Sequence, residues 1–190
     1  MHPKALAHYQ EGHVYREQGD LGAARDAFLQ ALEHDARYAE ARLALAEVLA
    51  QLGDVAGALT HARTLMDDQP NLLSGAYLLG VLLAKEGRLG EAVGSFQRAL
   101  FLDASFQPAL RALIEIYRQQ GDLQGEISML ERLLPLAPKD AEVRFTLAER
   151  MVRAGRTADA GAPLRDALAL EPNAIHGYLL LADIEGRLGR

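Results

Sequence analysis

Six glycines, Gly19, Gly53, Gly87, Gly121, Gly155 and Gly189, stand 34 residues apart without a slip, and each is followed by Asp or Arg. A fixed period of this length marks an array of stacked supersecondary units and constrains the fold before any local propensity does. Between the glycines run two segments with apolar residues at helical spacing. In the second segment of the first unit these are Ala24, Ala27, Phe28, Ala31 and Leu32. Each glycine is read as a hinge that ends one helix, and Asp20 is placed to cap the next. Pro70, Pro138 and Pro172 stop three of the second helices. The reading is five helix pairs, over 5–38, 39–72, 73–106, 107–140 and 141–174, with a last helix within 175–190. Residues 1–190 are expected to form a single array of about eleven helices, preceded by a frayed Met1-His2-Pro3-Lys4.

Aligned on the hinges, the units show what their packing needs. Seven residues before each hinge stand Gly12, Ala46, Gly80, Ile114, Ala148 and Ala182; five after it stand Ala24, Ala58, Ala92, Glu126 and Ala160. Large residues fill between, as Leu45, Leu79, Leu113 and Leu147 on first helices and Phe28, Phe96, Leu130 and Leu164 on second ones. Small against large at constant offset is the requirement of ridge-into-groove helix packing.

At these rows the chain resembles the tetratricopeptide repeat family. The family pattern stands as Gly80, Ala92, Phe96 and Ala99, with Tyr15 and Tyr117 supplying its tyrosine and Pro70, Pro138 and Pro172 its proline. The early tryptophan of the family is missing from every unit. The resemblance covers residues 5–190 and implies an all-α, right-handed α-solenoid of stacked antiparallel helix pairs. It also implies that first helices line a concave face, and that the function is to hold partner proteins.

Some positions break the rule of their row. Ile114 and Glu126 are large where other units are small, so the fourth pair is expected to splay and release the Glu126 carboxylate to solvent. Gly161 and Pro163 fall inside the last second helix, predicting a kink or a late start. At the ends, Glu11 replaces the leucine of its row and Glu185 enters the apolar seam, as solenoid caps require. Leu179, Leu180, Leu181 and Ile184 nevertheless make the final helix apolar, and Leu180 and Ile184 are candidate self-association residues.

Chemistry is absent from the motifs. The six histidines never form HExxH, and His13 with Glu17 lacks the third ligand that zinc requires. Phosphate-binding and nucleophile-elbow glycine motifs are missing, as is cysteine. Neither metal nor cofactor is expected, and an enzyme is not. A net charge of -6 argues against nucleic acid, which needs a basic footprint. Without an apolar run of spanning length, direct membrane insertion is not expected and a cytoplasmic location is.

The concave face should carry the function. Its rows give Tyr9, His13, Arg16, Leu43, Glu47, Tyr77, Leu78, Val81, Lys85, Arg111, Glu115, Arg118, Phe145 and Glu149 as the candidate protein-binding groove. Leu43, Tyr77, Leu78 and Val81 form its apolar middle, with a cationic fringe that includes Arg16, Lys85, Arg111, Arg118 and Arg153. Two known ligand modes of the family do not carry over. Tyr9, His13, Ala44, Ser74 and Leu78 replace the basic and amide residues that grip chaperone tails. Gln10, Ala44, Leu78, Ala112 and Thr146 replace the asparagine ladder of the sugar transferases. The expected function is a non-enzymatic scaffold that binds a peptide segment or helix of a partner protein. Two alternatives are a module that self-assembles through its C-terminal helix and a regulatory or targeting segment of a longer protein.

Overall fold

A computed structural model describes residues 2–189. Among them are eleven α-helices, one short 3-10 helix and no strand. They fall into two compact units, Met1–Ala104 and Ser105–Arg190. The first holds α1 (Pro3–Glu17), α2 (Leu21–His34), α3 (Ala39–Gln51), α4 (Val55–Asp68), α5 (Leu73–Lys85) and α6 (Leu89–Leu102). Consecutive helices pair, and each pair packs on the next through α2 with α3 and α4 with α5. The second unit holds α7 (Gln107–Gln120), α8 (Leu123–Leu133), α9 (Ala141–Arg153), α10 (Thr157–Leu170) and α11 (Ile175–Arg187), stacked in the same manner.

All six hinge glycines have positive φ, between 70° and 86°. Residues with a Cβ rarely adopt that backbone, which explains the unbroken glycine spacing. Arg190, the partner of the last hinge glycine, lies outside the described residues. Where Asp follows the hinge, its carboxylate caps the next helix: Asp20 accepts from the Ala23 amide, Asp54 from Gly57 and Asp122 from Gly125, each at 2.9 Å. Where Arg follows, an acidic residue three positions on takes its guanidinium instead. Arg88 pairs with Glu91 and Arg156 with Asp159.

The small-against-large rows meet as the sequence requires. Phe28 is fully buried, and a Cβ added to Gly12 would lie 2.5 Å from its Cε1. Phe96 repeats this against Gly80 at 2.7 Å. Only the absence of a side chain lets each ring reach the facing helix, where its burial stabilises the pair by about 1.5–3 kcal/mol. Ala24, Ala58, Ala92 and Ala160 are at 0% exposure in their shared row.

Three local expectations are corrected. The Glu126 carboxylate does not tilt to solvent: it is 3% exposed, and its Oε1 accepts from Arg150 Nε at 2.8 Å. A buried carboxylate demands a charged partner, and α9 supplies one where the row has no small residue. Of the two outcomes expected for the last second helix, the late start is excluded, because α10 runs from Thr157 with Pro163 inside it. The frayed start is not seen at His2, Pro3 or Lys4: His2 is the N-cap of α1, and Pro3 opens the helix at the first helical position, where proline's missing donor costs nothing, while Met1 lies outside the described residues. One breaker went unread. Pro135, in the 3-10 turn Leu134–Leu136, leaves α8 with 11 residues where the other second helices have 14. Gln107 Nε2 satisfies the Leu136 carbonyl of that turn at 2.9 Å.

Candidate functional site

In the first unit, the candidate groove residues come from α1, α3 and α5. Tyr9 of α1 sits in an aromatic cluster, 4.5 Å from the His13 ring, 5.9 Å from Phe28 and 5.0 Å from Tyr38. His13 also meets Phe28 edge-on at 5.4 Å. Arg16 ties this helix to the next by donating to Glu47 of α3 at 3.1 Å, and it lies 3.0 Å from His13 Nδ1. Burial first, then the Arg16 charge, pulls the His13 pKa below its ordinary value. His13 Nε2 is buried without a hydrogen-bond partner among the described residues. Burial, reinforced by Glu40, raises the Tyr9 pKa. Tyr9 and His13 are therefore packed neutral groups. Leu43, Tyr77, Leu78 and Val81 are half-buried, and Lys85 is exposed. The Tyr77 ring leans on Phe96 of the same helix pair at 5.7 Å.

In the second unit, the candidate residues line two cavities that share a wall. One, of about 260 Å³, brings together Arg111, Glu115 and Arg118 of α7 with Leu130 and Leu133 of α8 and Glu142 and Thr146 of α9. The other, of about 270 Å³, is lined by Phe145, Glu149, His176 and Leu180, again with Glu142 and Thr146. Glu142 and Thr146, one helical turn apart on α9, thus border both. Neither was among the expected groove residues, although Thr146 shares the row of Ala44 and Leu78. Phe145 is 5% exposed and stacks edge-on against His176 at 4.4 Å, so it forms a wall more than an anchor.

The cations of this region already have acidic neighbours. Arg111 donates to Asp140 at 2.9 Å, and that hydrogen bond holds the Asp140 carboxyl below the usual carboxylate range. Arg118 pairs with Glu115, which also accepts from Gln119 at 2.9 Å. Both arginine side chains remain about half exposed, at 50% and 56%. A ligand carboxylate would have to compete with Asp140 and Glu115 for them.

The self-association residues need correction. Ile184 is at 0% exposure, packed into its own unit, and Leu180 lines the cavity beside Phe145. The apolar side chains that α11 exposes are Ile175 at 75%, Tyr178 at 51% and Leu179 at 68%. Helical spacing explains the error: Leu180 and Ile184 share one face, and that face points inward. Among the described residues no group of three or more His, Cys, Asp or Glu side chains could hold a metal ion. No helix among them is long and apolar enough to cross a membrane.

Known proteins carry the same architecture. The chain is 29% identical over 188 residues to cellulose synthase operon protein C of Xanthomonas axonopodis pv. citri (strain 306). That match takes in 93% of this chain but only 12% of the relative's length. The crystal structure of MamA superposes with a TM-score of 0.78 at 20% identity, covering 89% of this chain and 92% of that one. YrrB, described as a tetratricopeptide repeat protein with an unusual peptide-binding site, superposes with a TM-score of 0.72 at 18% identity, covering 92% and 90%. At these identities the two structures establish the fold alone. The tetratricopeptide repeat profile itself matches residues 9–72 and 77–141, which is more than half of the chain. With the hinge glycines and the helix pairs in place, the chain belongs to the tetratricopeptide repeat family.

Proposed function

We propose that this protein is a scaffold without chemistry of its own, and that α7, α9 and α11 hold a peptide segment of a partner protein. The observation that carries this reading is the pair of cavities sharing Glu142 and Thr146 as a common wall. Their walls mix apolar side chains with charges of both signs, the composition expected of a polar-rimmed binding groove. Apolar side chains of the segment would seat against Ile114, Leu130 and Leu180. Its carboxylates or carbonyls would take Arg111 and Arg118 from Asp140 and Glu115. YrrB lends support by analogy, through the peptide-binding site named for it. The half-buried Leu43, Tyr77, Leu78 and Val81 offer the first unit a second, apolar contact of the same kind.

The test is partner capture from a lysate of the source organism with wild type, Arg118→Glu with Glu149→Arg, and Tyr77→Ala. Loss of the same partner from the charge-reversed variant, with helical content kept, is the expected outcome. Unchanged capture by that variant would remove α7 and α9 from the site.

A second reading rests on Ile175, Tyr178 and Leu179. Three large apolar side chains exposed on one helix favour self-association through α11. Light-scattering mass should then rise with concentration and stay constant in Leu179→Glu. A constant wild-type mass near 20.7 kDa would eliminate this reading.

A further inference from the structure

The first unit carries a cavity of about 480 Å³ on the side of α5 away from the candidate groove, between the second helices α4 and α6. Ala76, Leu79 and Leu83 of α5 line it, whereas Tyr77, Leu78 and Val81, the candidate groove residues of the same helix, do not. At 100° per residue the two sets lie on roughly opposite sides of the helix. Repeat three borders this space with a glycine in a row of small residues. Gly94 stands in the interior of α6 where the other units have Asp26, Thr60, Ser128 and Ala162, and a Cβ added to it would meet nothing within 4 Å. Glycine in mid-helix weakens the helix, so it calls for a reason other than stability. Leu79 is left half-buried, while Leu45, Leu113 and Leu147 in its row are at most 2% exposed.

The rim is cationic in a chain whose net charge is -6. Arg63, Arg88 and Arg98 line the cavity with one carboxylate, Glu91, giving an excess of two positive charges. The guanidinium groups are held in place. Arg88 makes two bonds of 2.7 Å to Glu91, and Arg63 stands 3.5 Å from it. Arg98 donates to the Pro70 carbonyl at 3.2 Å and to Asn71 Oδ1 at 2.8 Å. Its guanidinium also lies over the Phe101 ring, 5.4 Å from the centroid. Phe101 is 78% exposed, in a row where other units carry Glu33, Asp67, Pro135 and Ala169. An exposed aromatic beside fixed arginines and an open apolar floor is the make-up of a binding site.

We propose that this cavity is a second docking site, taking a partner segment in which an apolar side chain is flanked by carboxylates. The apolar side chain enters over the half-buried Leu79 and Met66, beside Gly94. The carboxylates meet Arg63 and Arg98, and a further apolar residue of the segment covers Phe101. Charge complementarity selects the segment: a basic one is repelled, and a neutral one gains nothing from the two excess positive charges of the rim. The site is independent of the groove of α7, α9 and α11.

The test uses the whole chain and a fluorescein-labelled peptide of Leu and Phe residues interleaved with Glu, read by fluorescence anisotropy. The same peptide with Gln for Glu, and dodecanoate as competitor, are the comparison ligands. Wild type should bind the acidic peptide, and Arg63→Glu and Gly94→Leu should each weaken it by about tenfold or more. Ala158→Glu, at an exposed position of α10 outside both sites, should leave binding unchanged, and circular dichroism should show all variants equally helical. The site would be overturned by unchanged affinity in Gly94→Leu, by equal binding of the Gln peptide, or by loss of binding in Ala158→Glu alone. Displacement of bound peptide by dodecanoate at equal concentration would assign the cavity to small amphiphiles and also overturn it.

Discussion

In repeat three, α5 and α6 meet with the Phe96 ring against Gly80, so close that an added Cβ would sit 2.7 Å from the ring. In repeat four, the corresponding rows hold Ile114 and Glu126, and the Glu126 carboxylate reaches past its own pair to Arg150 of α9. One 34-residue register is thus closed in two ways, by shape within a pair and by charge between pairs. Shape complementarity loses only what its own contacts contribute. A buried ion pair is less forgiving, because removing either partner leaves the other charged and desolvated.

The largest effect should come from breaking the charge. Arg150→Met strands Glu126 and should destabilise the protein by about 3–5 kcal/mol in urea denaturation followed by circular dichroism. Replacing both, as Glu126→Leu with Arg150→Met, should recover most of that loss. If the double variant were as unstable as the single one, the pair would not account for how repeat four closes.

A smaller loss should follow from breaking the shape. Gly80→Ala pushes a methyl group into Phe96 and should cost about 1–3 kcal/mol in the same assay. Adding Phe96→Leu, the side chain that Leu130 supplies in repeat four, should relieve the clash. Failure of that rescue would mean that Gly80 serves the backbone and not the ring.

Asp54→Ala removes the carboxylate cap found where Asp follows the hinge, and it should cost about 1 kcal/mol. The smallest effect separates the units by pH. His13 and His61 of the first unit both have pKa values lowered by burial and by a neighbouring arginine. Their stabilising contribution is complete above the unfolded value of about 6.5 and is lost as pH falls below it, because the unfolded chain then binds more protons. In the second unit Asp140 has a lowered pKa, so its contribution persists until pH falls through that value. Melting curves between pH 8 and pH 5 should therefore show acid-induced weakening that His13→Gln with His61→Gln reduces.

The hinges, the helix pairs and the Gly–Phe crossings were legible because each depends on a residue type at a fixed offset. Glu126 was misread because its partner, Arg150, lies one helix pair away, and no row within a repeat encodes that contact. Pro135 was passed over beside Pro138, although it is the one that shortens α8. For the candidate site, the rows named Arg111, Glu115 and Arg118, which line one cavity, whereas Glu142 and Thr146 stand in concave-face rows but were not singled out, because no row marks the wall that two neighbouring cavities share. The cavity over Leu79 is bordered by Gly94, where an added Cβ would meet nothing within 4 Å, and no apolar row signals it. Periodicity reports what repeats, and the sites here depend on what departs from it.

The partner segment proposed to lie along α7, α9 and α11 would pass over Thr146. The most direct test is to place a photocrosslinking amino acid at Thr146, on the wall between the two cavities, and at the exposed Ala158 of α10 as control. Irradiation in the native cell should join one discrete partner to the Thr146 protein and none to the Ala158 protein. Equal crosslinking from both positions, or a partner captured from Ala158 alone, would contradict the account.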